Sequence, residues 1–320
     1  MPPTPAATPT PPPCPVTGEG GSVRAGRLTM RFLHFMWRLS HGVVPTPLPR
    51  RGPAIDLWRA PCGVMFFHPP VAGDTAFYES YYRSLGVLDR LALDPESRPE
   101  FVEAARHVRP GDRVLDVGAG HGGLDRLLPE GATWRGVDPH LADDAVGVSR
   151  ETIEAHAAAH PGAYDVVCAF QVLEHVEDPR AFAEAMTACL RPGGLLILCV
   201  PLWPSPMTDI PNLAVNAPPH HLTWWTTDAL RTLARVLGLE VLRAETPPPP
   251  PHAAPILWLR RLLLLRTRED RYFFHSWSWW LSLVPGGLVA LAIMRWRGAP
   301  LPPGARPIDA FLVARKPGPA

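Results

Sequence analysis

The chain has 320 residues and carries 31 basic and 30 acidic side chains, so its formal net charge at pH 7 is +1. This balance removes the electrostatic reason to expect a dedicated nucleic-acid-binding protein. Hydrophobic residues make up 46% of the chain, which is enough to build a sizeable core. The 42 prolines gather at the ends and in internal tracts, so they indicate linkers and not a disordered whole.

The cysteines and the first residues favour a reducing compartment. The chain has five cysteines, an odd number with no spacing typical of a disulfide framework. The first fifteen residues contain neither the basic nor the apolar region of a secretory signal. We therefore expect a cytoplasmic protein.

The first 98 residues are predicted to form two parts. Residues 1–23 are rich in Pro, Thr and Ala, so we predict a disordered tail. Residues 24–98 are predicted to form an N-terminal subdomain. Its apolar spacing predicts helices over Met30–Leu39 and Thr75–Leu93.

Residues 99–246 alternate short apolar runs with helical patterns, and the last strand lies within residues 307–320. The predicted strands are Arg113–Val117, Thr133–Val137, Ala145–Val148, Tyr164–Phe170, Leu195–Val200, Glu240–Arg243 and Ile308–Ala314. The helices expected around them are Pro99–Val108, Gly123–Leu128, Arg150–His160, Asp178–Leu190 and Thr226–Leu237. Runs that are apolar on both faces, separated by helices, indicate an α/β fold with a doubly wound, mostly parallel seven-stranded sheet.

The first strand of this sheet leads directly into a glycine-rich loop, Gly118-Ala119-Gly120-His121-Gly122-Gly123. Glycine lets the backbone turn sharply and approach a ligand closely. The loop, with Asp138 at the end of the next strand, also fits a dinucleotide site. A nicotinamide-dependent Rossmann oxidoreductase is therefore one candidate function.

Four motifs in the same order resemble class I S-adenosylmethionine-dependent methyltransferases. Asp116 stands two residues before the first glycine of the loop, where dinucleotide-binding strands usually place an apolar residue. The other three motifs begin at Tyr164-Asp165, run from Phe170 to Pro179, and form the turn from Leu190 to Leu196. The resemblance favours a methyltransferase over an oxidoreductase.

The resemblance implies a Rossmann-like methyltransferase fold with S-adenosylmethionine as cofactor. The residues that it places at the cofactor are Asp116, Gly118, Ala119, Gly120, Asp138, Phe170 and Gln171. Asp116 would help to hold the methionine amino group. The implied reaction moves a methyl group to an O, N or C nucleophile of a small molecule, with sugars or secondary metabolites as acceptors by analogy.

The N-terminal part resembles a subset of these enzymes that carries a pair of zinc knuckles built from two Cys-x-x-Cys units. Here Cys14-Pro-Val-Thr17 and Arg59-Ala-Pro-Cys62 take the places of those units, and each has lost one thiolate. A structural zinc ion needs four nitrogen or sulfur ligands. We therefore treat the knuckles as degenerate and expect no metal.

A histidine pair follows the fifth strand of the sheet. Pro218-Pro219-His220-His221 resembles a run in the same subset, in a connection that lies over the substrate in doubly wound methyltransferases. This makes His221 and His220 candidates for a general base, with His175 as a third. The alternative is that the pair fixes the loop by packing against Trp224 and Trp225.

Residues 247–306 are predicted to form an apolar helical insertion before the last strand. Residues 277–294 carry no charge and are broken by Pro285, and residues 260–297 hold seven arginines against two acids. We favour a soluble lid, against peripheral membrane contact through residues 256–297 or a membrane span. A non-catalytic module that binds a partner or membrane through the loop and insertion stays open as a third function, as does the oligomeric state.

Overall fold

The computed structural model describes residues 10–85, 94–141, 145–268, 271–275, 280–297 and 300–318. The helices within these ranges are α1 (Met30–His41), α2 (Thr75–Leu85), α3 (Pro99–Ala105), α4 (Ile153–Ala159), α5 (Pro179–Cys189), α6 (Thr227–Val236), α7 (Ala254–Leu262) and α8 (Trp280–Arg297). The strands are β1 (Val23–Leu28), β2 (Ile55–Arg59), β3 (Met65–His68), β4 (Arg113–Val117), β5 (Thr133–Val137), β6 (Val148–Ser149), β7 (Tyr164–Phe170), β8 (Leu190–Pro201), β9 (Thr223–Trp224), β10 (Glu240–Glu245) and β11 (Asp309–Arg315).

The main sheet has seven strands in the order β10-β11-β8-β7-β4-β5-β6. The strands from β8 to β6 are parallel to their neighbours, whereas β11 is antiparallel to both β8 and β10. This topology confirms the predicted Rossmann-like α/β methyltransferase fold. The order reverses beside β4, so the carboxyl ends of β4 and β7 border the crevice where such sheets bind ligands.

Strand β7 is buried on both faces because its side chains alternate between two hydrophobic clusters. Val167 and Ala169 belong to the cluster that contains Phe182 of α5 and Leu230 of α6. Val166, Cys168 and Phe170 belong to the cluster on the other face, with Phe101 of α3. Period-two alternation with both faces apolar is the pattern of a central parallel strand.

A second sheet of four strands, in the order β1-β2-β3-β9, stands beside the main sheet. Strands β1 to β3 come from the N-terminal part, and β9 comes from the connection that follows the histidine pair. The chain after His221 therefore completes the sheet of the N-terminal subdomain. This pairing ties the subdomain to the connection between β8 and α6.

The proline-rich start differs from the disordered tail that we expected up to residue 23. Cys14 and Val16 are buried, and both join the hydrophobic cluster that also contains Trp58 of β2 and Leu230 of α6. The expectation is therefore wrong for residues 10–22. The physical reason is that Cys14 and Val16 are buried by tertiary contacts, which composition alone does not reveal.

The elements between β5 and β7 are shorter than predicted. Strand β6 covers only Val148–Ser149, where we expected residues 145–148. Helix α4 begins after Thr152, whose hydroxyl accepts a hydrogen bond from the Ala155 amide at 3.3 Å. This N-cap delays the helix start from residue 150. The C-terminal half of the helix predicted up to Leu93 lies outside the described residues.

The insertion divides into a part that covers the connection after β8 and a part that is exposed. Tyr272 and Phe273 pack against Trp224 of β9. On α8, Leu288 and Leu291 are exposed at 64% and 59%. Within the part of the chain that the structure describes, no helix is both long and apolar enough to cross a membrane. Residues 277–279 of the apolar run lie outside that part.

Candidate active site

The glycine loop turns sharply because its first residue has no room for a side chain. Gly118 has φ +73°, and a Cβ atom there would lie 2.4 Å from Cγ2 of Val172. Its amide donates a hydrogen bond of 2.8 Å to the carbonyl of Val137, at the end of the adjacent strand β5. The main chain can therefore leave β4 close to the end of β5 only with glycine at this position.

Asp138 is fixed against the loop by two main-chain amides. Gly120 donates to Asp138 Oδ2 at 3.0 Å, and His140 donates to Oδ1 at 2.8 Å. Gly120 has φ +54°, and a Cβ built on it would meet no atom within 4 Å, so this side of the loop is open. Ala119, between the two glycines, also directs its amide towards Val137. The carboxylate keeps lone pairs that can accept hydrogen bonds from ligand hydroxyl groups.

Asp116 is buried at the end of β4 and lacks a partner on one oxygen. Its Oδ2 has no hydrogen-bond partner among the described residues, and Cys168 Sγ lies 3.9 Å from Oδ1. Burial raises the pKa of Asp116 to about 7, against the opposing pull of the Arg98 charge. A buried, unpaired carboxyl oxygen is costly, so this position favours a ligand that brings a donor or a positive charge.

At the end of β7, the structure places the side chains of the predicted residues Phe170 and Gln171 on different sides. The ring of Phe170 packs against Phe101 with 5.2 Å between centroids, so the side chain lies in the core. Gln171 has φ +59° and donates from Nε2 to Asp309 Oδ1 at 3.0 Å. Burial, with repulsion from Glu100, raises the pKa of Asp309 to about 7. Asp309 begins an antiparallel strand at this edge of the sheet, and sequence reasoning did not select it.

The three predicted histidines come together beside this edge. Ring centroids are 4.4 Å apart for His175 and His220, 5.0 Å for His175 and His221, and 4.6 Å for His220 and His221. Burial lowers the pKa of all three and brings that of His175 to about 4. The rings are therefore neutral at pH 7, which leaves each with one nitrogen lone pair.

Two of these histidines are oriented by main-chain carbonyls. His175 Nδ1 lies 2.7 Å from the carbonyl of His220, and His220 Nδ1 lies 3.2 Å from the carbonyl of Val215. Because a carbonyl can only accept, both Nδ1 atoms carry the proton and both Nε2 atoms carry the lone pair. His221 Nδ1 is buried and has no partner among the described residues.

Glu174 completes the cluster, although sequence reasoning did not assign it a role. Its side chain is 1% exposed, and neither carboxyl oxygen has a hydrogen-bond partner among the described residues. Oε1 lies 3.5 Å from Nε2 of His175. Burial raises the pKa of Glu174 well above its usual range. The signal that could have found it is its position in the motif from Phe170 to Pro179.

Helix α2 bridges the loop and the histidine cluster. The ring of Tyr78 lies 5.2 Å from that of His140 and 6.1 Å from that of His175, between centroids. The ring of Tyr81 lies 4.7 Å from that of His220. The N-terminal subdomain therefore walls the crevice between Asp138 and the histidines with aromatic side chains.

The two predicted knuckle cysteines also meet. Cys14 Sγ and Cys62 Sγ lie 3.3 Å apart, and the amides of Val16 and Thr17 each donate to Cys14 Sγ at 3.4 Å. Among the described residues, no further His, Cys, Asp or Glu joins them as a potential metal ligand. The pair offers two thiols where a structural zinc ion needs four ligands.

The central part of the chain matches a known domain family. Residues 86–244, a little under half of the chain, match the family model described as a methyltransferase domain. The match covers Asp116, the glycine loop, Asp138 and the three histidines. This stretch therefore carries a methyltransferase domain, in agreement with the sheet topology.

Several proteins are similar to parts of the chain. A ubiquinone biosynthesis O-methyltransferase from Pectobacterium carotovorum is 42% identical over 97 residues, which cover 26% of this chain and 41% of the relative. Among solved structures, a 1,6-didemethyltoxoflavin-N1-methyltransferase from Burkholderia thailandensis is 16% identical, with TM-score 0.48 over 82% of this chain and 95% of that chain. An S-adenosylmethionine-dependent methyltransferase from Archaeoglobus fulgidus is also 16% identical, with TM-score 0.43 over 72% and 93%. The chain spans about two fifths of the length of the curated relative.

Proposed function

We propose that the protein is a class I S-adenosylmethionine-dependent methyltransferase acting on a small molecule. The observation that carries the proposal is the pairing of the open glycine loop with two carboxyl groups, within residues 86–244. Asp138 is held by two amides, and Asp116 keeps one buried oxygen without a partner among the described residues. Both features fit an adenosyl amino acid, which offers two ribose hydroxyls and an ammonium group.

The residues present suit this cofactor on one side of the crevice. Asp116 would face the methionine ammonium, Asp138 would accept from the ribose hydroxyls, and Gly118 to Gly120 would leave room for the ligand against the main chain. Gln171 would border the same edge, with Phe170 contributing its main chain because its ring lies in the core. The cofactor supplies an activated methyl group on its sulfonium. The work of the protein is to orient the two reactants and exclude water.

The acceptor would lie between Tyr78 and the histidine cluster. This place follows from α2, which connects the ring of His140 beside Asp138 with that of His175. His221, His220 and His175 would then contact the acceptor, and any proton that leaves it would pass to this cluster. The name of the matched relative favours oxygen as the acceptor atom, with sugars or secondary metabolites as the broader class.

We also propose that α8 makes peripheral contact with a membrane surface. Val284, Leu288 and Leu291 on this helix are 51%, 64% and 59% exposed, and Arg295 follows them on the same helix. Apolar side chains next to arginine suit the headgroup region of anionic lipid. The segment 271–275 would serve as the lid that we expected, because it packs over the connection after β8.

Calorimetry with S-adenosylhomocysteine and with NADH tests the function directly. We expect the first ligand to bind and the second not to bind. Asp138→Ala should weaken binding by about 30- to 150-fold, since a carboxylate that accepts from two ribose hydroxyls contributes about 2 to 3 kcal/mol. Asp228→Ala, an exposed acid on α6, is the matched control and should bind as the wild type does. Binding of NADH alone would support the oxidoreductase, and binding of neither would support the non-catalytic module.

A further inference from the structure

The cluster of His175, His220 and His221 has the composition and spacing of a metal site. One ring nitrogen from each residue lies within 4.8 Å of the others. Nitrogen ligands about 2.1 Å from a tetrahedral ion are roughly 3.4 Å apart. The ring nitrogens would therefore have to move closer by up to about 1.4 Å to share one ion.

The hydrogen bonds of the cluster already orient it for coordination. A metal-binding histidine nearly always donates its second ring N–H to a carbonyl or carboxylate, which fixes the tautomer and directs the other nitrogen at the metal. His175 and His220 both do this, through Nδ1, to the carbonyls of His220 and Val215. His221 Nδ1 is a buried nitrogen with no partner among the described residues.

The independent observation is the buried carboxyl of Glu174. Both of its oxygens are buried and lack a hydrogen-bond partner among the described residues, and Oε1 points at His175 Nε2 from 3.5 Å. A carboxylate removed from water needs a counter-charge or donors. A cation between Glu174 and the histidines would satisfy the carboxylate and the unpartnered nitrogen of His221 at once.

We propose that His175, His220 and His221 bind a divalent transition-metal ion such as Zn²⁺, with the buried carboxyl group of Glu174 next to His175. Three neutral imidazoles suit zinc and its neighbours better than Mg²⁺ or Ca²⁺, which prefer oxygen ligands. This site is distinct from the degenerate knuckle of Cys14 and Cys62.

The position of the ion suggests what it would do in the proposed methyl transfer. This catalytic role rests on the proposed function, whereas binding of the ion does not. The cluster faces Tyr78 on the acceptor side of the crevice. An ion there would hold an oxygen of the acceptor and lower its pKa, so that its proton passes to water. A histidine that ligates the ion is not free to act as general base, so this lowering of the acceptor's pKa would stand in for a protein base.

The test measures zinc binding to the full chain without any turnover. The protein is stripped with a chelator and titrated with Zn²⁺ against a chromophoric competitor, and Co²⁺ is used as a spectroscopic probe. We expect one ion per chain and a visible Co²⁺ spectrum typical of nitrogen ligands. His221→Gln and Glu174→Gln should each weaken binding by more than about 10-fold. The exposed His68→Gln and the double variant Cys14→Ser, Cys62→Ser should bind as the wild type does.

Three outcomes would overturn the proposal. They are no binding at a ten-fold excess of Zn²⁺, binding that is lost only in the cysteine variant, and binding that neither His221→Gln nor Glu174→Gln changes. Glu174→Gln has nearly the same shape as the wild type, so it keeps the test decisive if His221→Gln does not fold. Titrating the same samples with S-adenosylhomocysteine separates the two proposals. If the protein binds S-adenosylhomocysteine but no metal, the metal site is refuted and the proposed function is not.

Discussion

Asp116 and Asp138 end neighbouring parallel strands, yet their surroundings prepare them for different tasks. Asp138 lies at the crevice and accepts from the amides of Gly120 and His140. Asp116 is buried, and desolvation raises its pKa to about 7. Asp138 is therefore fixed in place by the main chain, whereas the ionisation of Asp116 changes near neutral pH and is favoured by a nearby cation.

The raised pKa of Asp116 predicts pH-dependent cofactor binding. The ligand ammonium favours the ionised carboxyl, so below pH 7 binding must release a proton. We expect the affinity for S-adenosylhomocysteine to rise by up to about 10-fold per pH unit between pH 5.5 and 7, and to level off above it. Calorimetry across this range measures the effect.

Asp116→Asn is the control for this pH dependence. The variant should bind more weakly and lose the pH dependence, because its side chain does not titrate. The same linkage acts on the free protein: a folded pKa above the unfolded value lowers stability as pH rises from about 4 to 7. At pH 8 without ligand, Asp116→Asn should therefore unfold at a higher temperature than the wild type. An affinity in the wild type that stays constant from pH 5.5 to 8 would contradict this account.

At the scale of elements, two tryptophan side chains hold the connection between β8 and α6, one from α1 and one from its own strand β9. Trp37 of α1 is fully buried and donates from Nε1 to the carbonyl of Pro218 at 2.9 Å. Trp224 donates to the carbonyl of Asn216 at 3.0 Å. These bonds hold the chain just before the histidine pair. The N-terminal subdomain thus positions residues that lie far along the sequence.

Trp37→Phe should destabilise the fold and disturb the histidine cluster. The change leaves the buried carbonyl of Pro218 without its donor and removes part of a fully buried ring, so we expect a loss of about 2 to 4 kcal/mol in the free energy of unfolding. Trp258→Phe removes the same kind of bond, 2.9 Å to the carbonyl of Pro300, at an exposed site. Its cost in urea unfolding should stay below about 1 kcal/mol. Equal losses would mean that the connection does not depend on Trp37.

The exposed face of α8 predicts salt-sensitive binding to anionic vesicles. Screening weakens the attraction of arginine to headgroups, whereas apolar insertion persists at high salt. The protein should therefore sediment with such vesicles at low salt and be partly released at high salt. Leu288→Gln with Leu291→Gln should abolish sedimentation, while binding of S-adenosylhomocysteine is retained. Leu39→Gln with Leu242→Gln changes two exposed leucines elsewhere and is the matched control. A wild type that stays in solution at low salt would contradict membrane contact by α8.

At the scale of the whole molecule, the N-terminal part and the main sheet share one hydrophobic cluster. Val16 and Trp58 pack in the same cluster as Leu230 and Leu312. We therefore propose that the parts that we separated at residues 23, 98 and 246 unfold together. Groups that share one apolar core lose their cover at the same time, which is the basis of a cooperative transition.

Val16→Ala tests this shared core. Val16 is fully buried, so its truncation should cost about 1 to 2 kcal/mol in urea unfolding, within a single transition seen equally by fluorescence and circular dichroism. Val23→Ala makes the same chemical change at a side chain that is 60% exposed, and should cost less than about 0.5 kcal/mol. If the Val16→Ala variant is as stable as the wild type, residues 10–22 do not contribute to the shared core.

The local patterns that the sequence displays were sufficient for the main sheet. Strand β7 lies at the predicted Tyr164–Phe170, and the alternation of strands and helices predicted a mostly parallel sheet of seven strands. The glycine loop and Asp138 could also be found, because short spacings place them at one strand edge. Hydrophobic period and turn chemistry act over a few residues, so they can be read without a structure. The side of the chain on which Phe170 packs could not be predicted from the sequence, since it depends on the position of α3.

The sequence by itself determined the α/β core, the loop after β4 and the identity of the histidines as candidates. Only the tertiary structure decided that His175 meets His220 and His221, that the side chain of Glu174 is buried, and that Cys14 reaches Cys62. The contacts of His175 with His220 and of Cys14 with Cys62 join residues more than forty positions apart. Local propensity carries no information about such long-range contacts, because burial and packing of the whole chain select them.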